Sequence, residues 1–197
     1  MSAFQLSIVS LDVGMSAPAG LDAKRWACRD GIGSLPIWWA TMAVESAGKT
    51  TSVEIRPVTS RSELNTFVKL PWRLYRNERN WVAPLLMDVK KRLDQKKNPF
   101  FKHTEAQYFL AYRDGQVVGR ISAHIDRNLN EFQDNRWGLF GWFECENDPD
   151  AARELLGTAE QWLRERGCDR MVGPMDFTTN DECGLLVEGH ERPPIIL

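Results

Sequence analysis

Three stretches of this chain carry side chains able to move a proton or hold a charged partner. Glu144 ends the apolar run Trp137–Phe143, where a carboxylate could take a proton from an amine, directly or through water. His124 alternates with Arg120 and Ser122 along another run, and an imidazole of ordinary pKa suits proton transfer near neutrality. Asn180, Asp181 and Glu182 could hold a carrier arm and orient an amine; the same letters also spell a helix N-cap with first-turn acids. Each residue also has a plain structural reading, as a solvated strand end, a core histidine or a cap. Around them Trp72, Tyr75, Trp81, Phe100 and Phe101 flank a basic stretch from Lys90 to Lys97. That pattern fits a lid for a lipid acceptor or an anionic membrane surface, and equally a core-facing stripe with a solvated back.

The elements that must position these residues are legible from Val53 onward. Val53–Val58 alternates as a half-buried strand, and Ser60-Arg61-Ser62-Glu63 is a capping-box signature opening a helix that Pro71 is expected to end or kink. Pro84, Leu85, Leu86, Val89 and Leu93 mark a second helix. Phe109–Arg113 and Gln116–Asp126 flank Asp114-Gly115, a strong hairpin signal. Val117, Gly119, Ile121, Ala123 and Ile125 are expected on one face of the second strand, and Val118, Arg120, Ser122 and His124 on the other. Leu129–Asn135 reads as a connector or short helical turn. A strand from Trp137, a helix from Asp148-Pro149 to Arg166 stopped by Gly167, and a strand at Arg170–Gly173 then form a right-handed crossover with parallel strands.

Residues 1–51 differ in character, with small residues, glycines and little periodicity, and are expected to form a poorly ordered extension ahead of a domain at 52–197. Met42 is a candidate start site. The chain stops inside the apolar run Ile195-Ile196-Leu197, which reads as an interrupted strand and suggests a fragment of a longer protein. A net charge of -2 gives no overall pull toward nucleic acid. Cys28, Cys145, Cys168 and Cys183 form no metal-ligand spacing with His103, His124 and His190, so no metal is expected and the thiols read as reduced, in a cytoplasmic protein.

The turn between the Trp137 strand and the next helix, Glu146-Asn147-Asp148-Pro149-Asp150-Ala151, has three carboxylates and no glycine or arginine. A helix entrance is electropositive and commonly holds phosphate; here acids already occupy it. A pyrophosphate brought to ~6 Å from a carboxylate costs on the order of 1 kcal/mol per charge pair where water still screens it.

The order strand, two helices, hairpin, strand, helix, strand resembles the front part of the GNAT N-acyltransferase fold, an α/β mixed sheet with flanking helices, here truncated at its carboxyl end. The runs Phe67–Tyr75, Asn80–Leu85, Lys97–Phe101 and Gly173–Leu186 are similar to the bacterial ceramide-synthase-like group within it. The resemblance implies transfer of an acyl group from acyl-CoA or acetyl-CoA to a small-molecule or lipid amine, such as a sphingoid base, and the aromatic and basic stretch is compatible with a cytoplasmic protein peripheral to the inner membrane. It implies that Phe140, Gly141, Trp142 and Phe143 offer backbone amides to the pantetheine and thioester, that Asn147, Ala151 and Asn180 hold the donor, and that Trp72, Tyr75, Trp81, Asp181 and Glu182 receive the acceptor. Glu144 and His124 are then the candidate catalytic groups. The reading needs the two parallel strands to part around Gly141 and Gly173, leaving a slot for the thioester. The competing reading is a catalytically inactive GNAT-like binding or scaffold module whose acidic turn caps its own helix.

Overall fold

A computed structural model describes residues 5–7, 9–12 and 52–188. The strands are β1 (Gln5–Ser7), β2 (Val9–Asp12), β3 (Glu54–Pro57), β4 (Thr104–Arg113), β5 (Gln116–Asp126), β6 (Trp137–Cys145), β7 (Arg170–Gly173) and β8 (Leu185–Glu188). The helices are α1 (Arg61–Leu74), α2 (Leu86–Leu93), α3 (Arg127–Gln133) and α4 (Pro149–Arg164). Among these residues six strands form one mixed sheet in the order β2-β7-β6-β5-β4-β3, and β1 pairs with β8 apart from it. Only β6 and β7 run parallel, joined by α4 as the crossover.

The local signals explain most elements. Ser60 Oγ accepts the Glu63 amide at 3.1 Å while the Glu63 carboxylate accepts the Ser60 amide at 2.8 Å, so the capping box opens α1. Asp114 and Gly115 both adopt positive φ and close the β4–β5 hairpin. Its first strand begins at Thr104, five residues before Phe109. The Leu129–Asn135 connector is α3, capped by Asp126.

Three details differ from the sequence reading. First, α1 does not end at Pro71 but runs to Leu74, with Pro71 buried inside it. Second, the β4–β5 register shifts between Ala111 and Tyr112, so the alternation on β5 slips at Val118. Val118 therefore packs on the α4 side with Ile121 and Ala123, and Val117 packs on the other face. Third, Gln5–Ser7 and Val9–Asp12, inside the region expected as an extension, supply β1 and β2; the rest of that region and Met42 lie outside the described residues.

The sheet is covered on both faces. On one, Leu155, Ala159 and Leu163 of α4 pack on Phe109, Ile121, Phe140 and Met171. On the other, Phe67, Val68, Val89 and Leu93 of α1 and α2 pack on Tyr108, Leu110, Trp142 and Phe177. Fully burying side chains of this size stabilises by about 1.5–3 kcal/mol each, so both helical layers are held firmly to the strands.

Candidate functional site

The site is built at the C-terminal half of β6, where the strand bulges. Ser122 faces Gly141 and Arg120 faces Glu144 across the β5–β6 ladder, so Trp142 and Phe143 together stand opposite Ile121. Trp142 takes φ of 48°, a conformation uncommon for a non-glycine residue. The bulge turns the strand end toward a cavity of about 310 Å³ between the sheet, α1, α2 and the segment after β7.

Pro71 prepares the floor of this cavity. A proline has no amide hydrogen, so the carbonyl four residues earlier in the helix, that of Phe67, loses its intrahelical partner. The buried Arg120 guanidinium donates to that carbonyl at 2.8 Å and lies over the Phe67 and Trp142 rings, 5.0 and 5.5 Å from their centroids. Its other amino group stands 3.8 Å from the Glu144 carboxylate. Glu144 also accepts a hydrogen bond from the Tyr75 hydroxyl. Burial raises the pKa of Glu144; the Tyr75 hydrogen bond and Arg120 work against that rise, and Glu182 adds to it.

Asp176, on the segment that leaves β7, lines the same cavity as Glu144. Its Oδ1 accepts the Trp142 amide at 2.6 Å. Burial, reinforced by Glu182, lifts this carboxyl to about 7 despite the Trp142 amide, Arg120 and Arg92. Arg92 donates to the Asp181 carboxylate at 2.8 Å and lies 5.0 Å from the Trp142 ring centroid. Trp72, Trp81 and Tyr75 form the opposite wall, Trp81 standing 5.6 Å from Trp72 and 5.4 Å from Tyr75. Glu182 lines the cavity as well, while Val82, Pro84, Leu185 and Leu186 border it with exposed apolar surface. Carboxylates beneath aromatic walls suit a cation with an apolar tail.

The structure thus brings Glu144, Trp142, Phe143, Trp72, Tyr75, Trp81 and Glu182 to one cavity, with Asp181 tied to it through Arg92. It does not bring His124 there. That ring is fully buried between Phe100 and Phe177, and burial lowers its pKa to about 4. Neither of its nitrogens makes a hydrogen bond of ordinary geometry, with the Phe177 main chain giving only weak compensation. Asn180 is exposed in a turn, its amide bonded to Thr178 Oγ1 at 3.2 Å. Phe140 packs in the α4-side core.

The expected thioester slot is filled by the chain itself. β6 and β7 pair over Trp137–Leu139 and Arg170–Val172, and beyond Gly173 the Met175 amide bonds the Phe140 carbonyl at 2.7 Å. A Cβ on Gly141 would stand 2.0 Å from the Met175 carbonyl oxygen, so the backbone of Pro174–Asp176 occupies the place where the strands were expected to part. The opening lies on the α1–α2 side instead.

At the entrance of α4, Asp148 accepts the amides of Asp150 at 3.2 Å and Ala151 at 3.1 Å. Arg113 grips the same carboxylate with bonds of 2.7 and 2.9 Å, and Arg73 donates to Glu146 at 2.6 Å. The amides that would cradle a phosphate are therefore committed to the protein's own cap, and these residues do not fit a pyrophosphate there. Asn147 is exposed and Ala151 buried beside this turn, neither lining the cavity.

Sequence reasoning missed Asp176 and the internal role of Arg92. Asp176 carries no local signal, because its partner amide is 34 positions away. Arg120 had one: the carbonyl that Pro71 leaves free needs a donor. Among the described residues no group of three or more His, Cys, Asp or Glu could hold a metal, and no helix is long and apolar enough to cross a membrane.

Comparison with known proteins places this architecture. Residues 65–180 match the acetyltransferase (GNAT) family model. Over 146 residues the chain is 44% identical to a bacterial ceramide synthase of Caulobacter vibrioides, covering 74% of this chain and 38% of that protein. It is 36% identical over 140 residues to protein YghO of Escherichia coli, covering 71% of this chain and 36% of that one. The chain therefore spans a little over a third of the length of these curated relatives. A tandem GNAT protein from the clavulanic acid biosynthesis pathway superposes with a TM-score of 0.47 at 13% identity, covering 59% of this chain and 34% of that one.

Proposed function

This chain belongs to the GNAT acetyltransferase family, and from that premise we propose that it transfers an acyl group from a coenzyme A thioester to the amino group of an amphiphile. The observation that carries the reading is the pair of carboxyls, Glu144 and Asp176, set beside the β6 bulge in an aromatic-walled cavity. An ammonium held between these acids, with Trp72 and Trp81 against it, sits where Glu144 can take its proton. The freed amine attacks the thioester carbon, a C–N bond forms, the C–S bond breaks, and the departing sulfur takes the amine's second proton. Backbone amides of the bulge, that of Phe143 and that of Trp142 once Asp176 has released it, are the groups nearest to steady the oxyanion.

The apolar rim of Val82, Pro84, Leu185 and Leu186 supports an acceptor with a hydrocarbon chain, and a sphingoid base has that chemistry. Val82, Leu85 and Met87 are 58%, 69% and 76% exposed, and Lys90 and Lys91 follow them on α2. Apolar surface beside cations supports contact with an anionic lipid surface. His124, Asn147 and Ala151 take no part in this reading.

The self-capped entrance of α4 favours a second reading, a binding module without turnover. Incubating the purified protein with dodecanoyl-CoA and a long-chain 2-amino-1,3-diol distinguishes them. The first predicts thiol release that depends on, and saturates with, the amine. Saturable heat on titration without thiol release supports the module, and neither heat nor release removes the transferase.

A further inference from the structure

We propose that Asp176 stands in for the acyl donor at the bulge: the thioester carbonyl displaces its carboxylate from the Trp142 amide, and the released carboxylate then receives the acceptor's ammonium, so that donor binds before acceptor. The inference rests on the transferase reading above. Its basis is a coincidence of positions. The one amide that the bulge turns toward Asp176 is occupied by a side-chain oxygen at 2.6 Å, and that oxygen lies against Gly141, 3.0 Å from where a Cβ would be. A carbonyl oxygen and a carboxylate oxygen compete for the same donor, and an N–H so placed serves one acceptor at a time.

The surroundings give the displaced group a destination. Asp176 borders the cavity with Tyr75, Glu144 of β6 and Glu182, while Arg120 of β5 and Arg92 of α2 act on it with positive charge; Cys183 lies within the field of both Asp176 and Asp181. Arg92 donates through one amino group to Asp181 and Arg120 through one to the Phe67 carbonyl, while the buried Nε of each has no partner among the described residues. A carboxylate leaving the Trp142 amide stays in a space that holds these two cations and two other acids, Glu144 and Glu182, and an arriving ammonium relieves the repulsion among the three acids. Both residues that bracket the contact, Trp142 at φ 48° and Phe177 at φ 83°, adopt backbone conformations rare for side chains of their size. Segments held in this way are suited to switching between two arrangements.

Protonation weakens a carboxyl as an acceptor, so donor binding should tighten as Asp176 gains its proton. The test is calorimetric titration of the purified protein with dodecanoyl-CoA and with its thioether analogue, S-dodecyl-CoA, which lacks the carbonyl oxygen. Wild type is expected to bind dodecanoyl-CoA about tenfold tighter at pH 6 than at pH 8. Asp176→Ala should bind it tighter than wild type at pH 8, with the pH dependence gone, and should raise KM for the amine at least about tenfold while changing kcat less. Asp176→Asn, which keeps the shape and an acceptor oxygen, should bind independently of pH with intermediate affinity. The thioether should show none of these differences. Dodecanoyl-CoA binding in folded Asp176→Ala and Asp176→Asn that follows the wild-type pH curve overturns the proposal while leaving the transferase reading intact. Absence of saturable binding in all three proteins overturns both.

Discussion

Two buried groups pull the stability of this protein in opposite directions as pH falls, and each can be silenced separately. His124 is neutral in the folded state because burial lowers its pKa from 6.5 to about 4. The unfolded imidazole binds a proton below its ordinary value while the folded one refuses it. Its favourable contribution is complete above pH 6.5 and is lost as pH falls toward 4. At about 1.4 kcal/mol per pH unit the window is worth about 3 kcal/mol. Asp176 has the reverse sign. Burial lifts it from 3.8 to about 7, so its contribution is complete below 3.8 and is lost as pH rises toward 7. The same arithmetic gives a ceiling of about 4 kcal/mol, reduced by water in the cavity that the residue borders. In wild type the two slopes offset each other between pH 4 and 6.5. Urea denaturation at several pH values from 7.5 to 4.5 separates them. Relative to wild type, His124→Leu should gain about 2–3 kcal/mol as pH falls across that range, and Asp176→Asn should lose a comparable amount. The carboxylates that titrate lower are present in all three proteins and drop out of the comparison. A His124→Leu curve parallel to wild type within about 0.5 kcal/mol would show that the ring is charged or hydrated in the fold, and the reasoning from burial would fail.

Asp148→Ala should destabilise by about 2 kcal/mol, roughly half from the lost cap and half from the Arg113 pair, whereas Asp148→Asn should cost about 1; equal losses on thermal melting would contradict the division. Burial opposes the charge of Asp148, but Arg113 and two amides outweigh it and hold the pKa low, so its contribution is complete above the ordinary carboxylate range and is lost as pH falls through the folded value. Glu144→Gln should lower kcat about 100-fold with donor affinity retained, and a loss under about fivefold would remove Glu144 as the base. Because the α4 entrance is already capped, dodecanoyl-pantetheine, lacking the nucleotide, should be used with kcat/KM within about tenfold of dodecanoyl-CoA; a loss greater than about 100-fold in steady-state assays would restore a phosphate site.

What was legible in the sequence is what short-range chemistry decides. The Asp148-Pro149 opening of α4, the Asp114-Gly115 hairpin and the Ser60–Glu63 box each depend on neighbours within four residues, and each element formed where its letters said. Pro71 was read as an end or a kink, and of the two the end did not occur, because tertiary packing kept the helix going and Arg120 satisfied the carbonyl that proline had stranded. The site divided along the same line. Glu144 and the aromatic residues of α1 were recognisable by type and position, but Asp176 acquires its meaning only from an amide on another strand. His124 looked reactive by type, and only its surroundings reveal a neutral, enclosed ring.

The pairing of β2 with β7 bears on how this sheet can be assembled. Val9–Asp12 runs antiparallel along Arg170–Gly173 and takes the outer row of hydrogen-bonding groups, which a strand can offer to one neighbour at a time. Any other segment seeking that row, from this chain or from a second copy, must evict four residues contributed from the far end of the sequence.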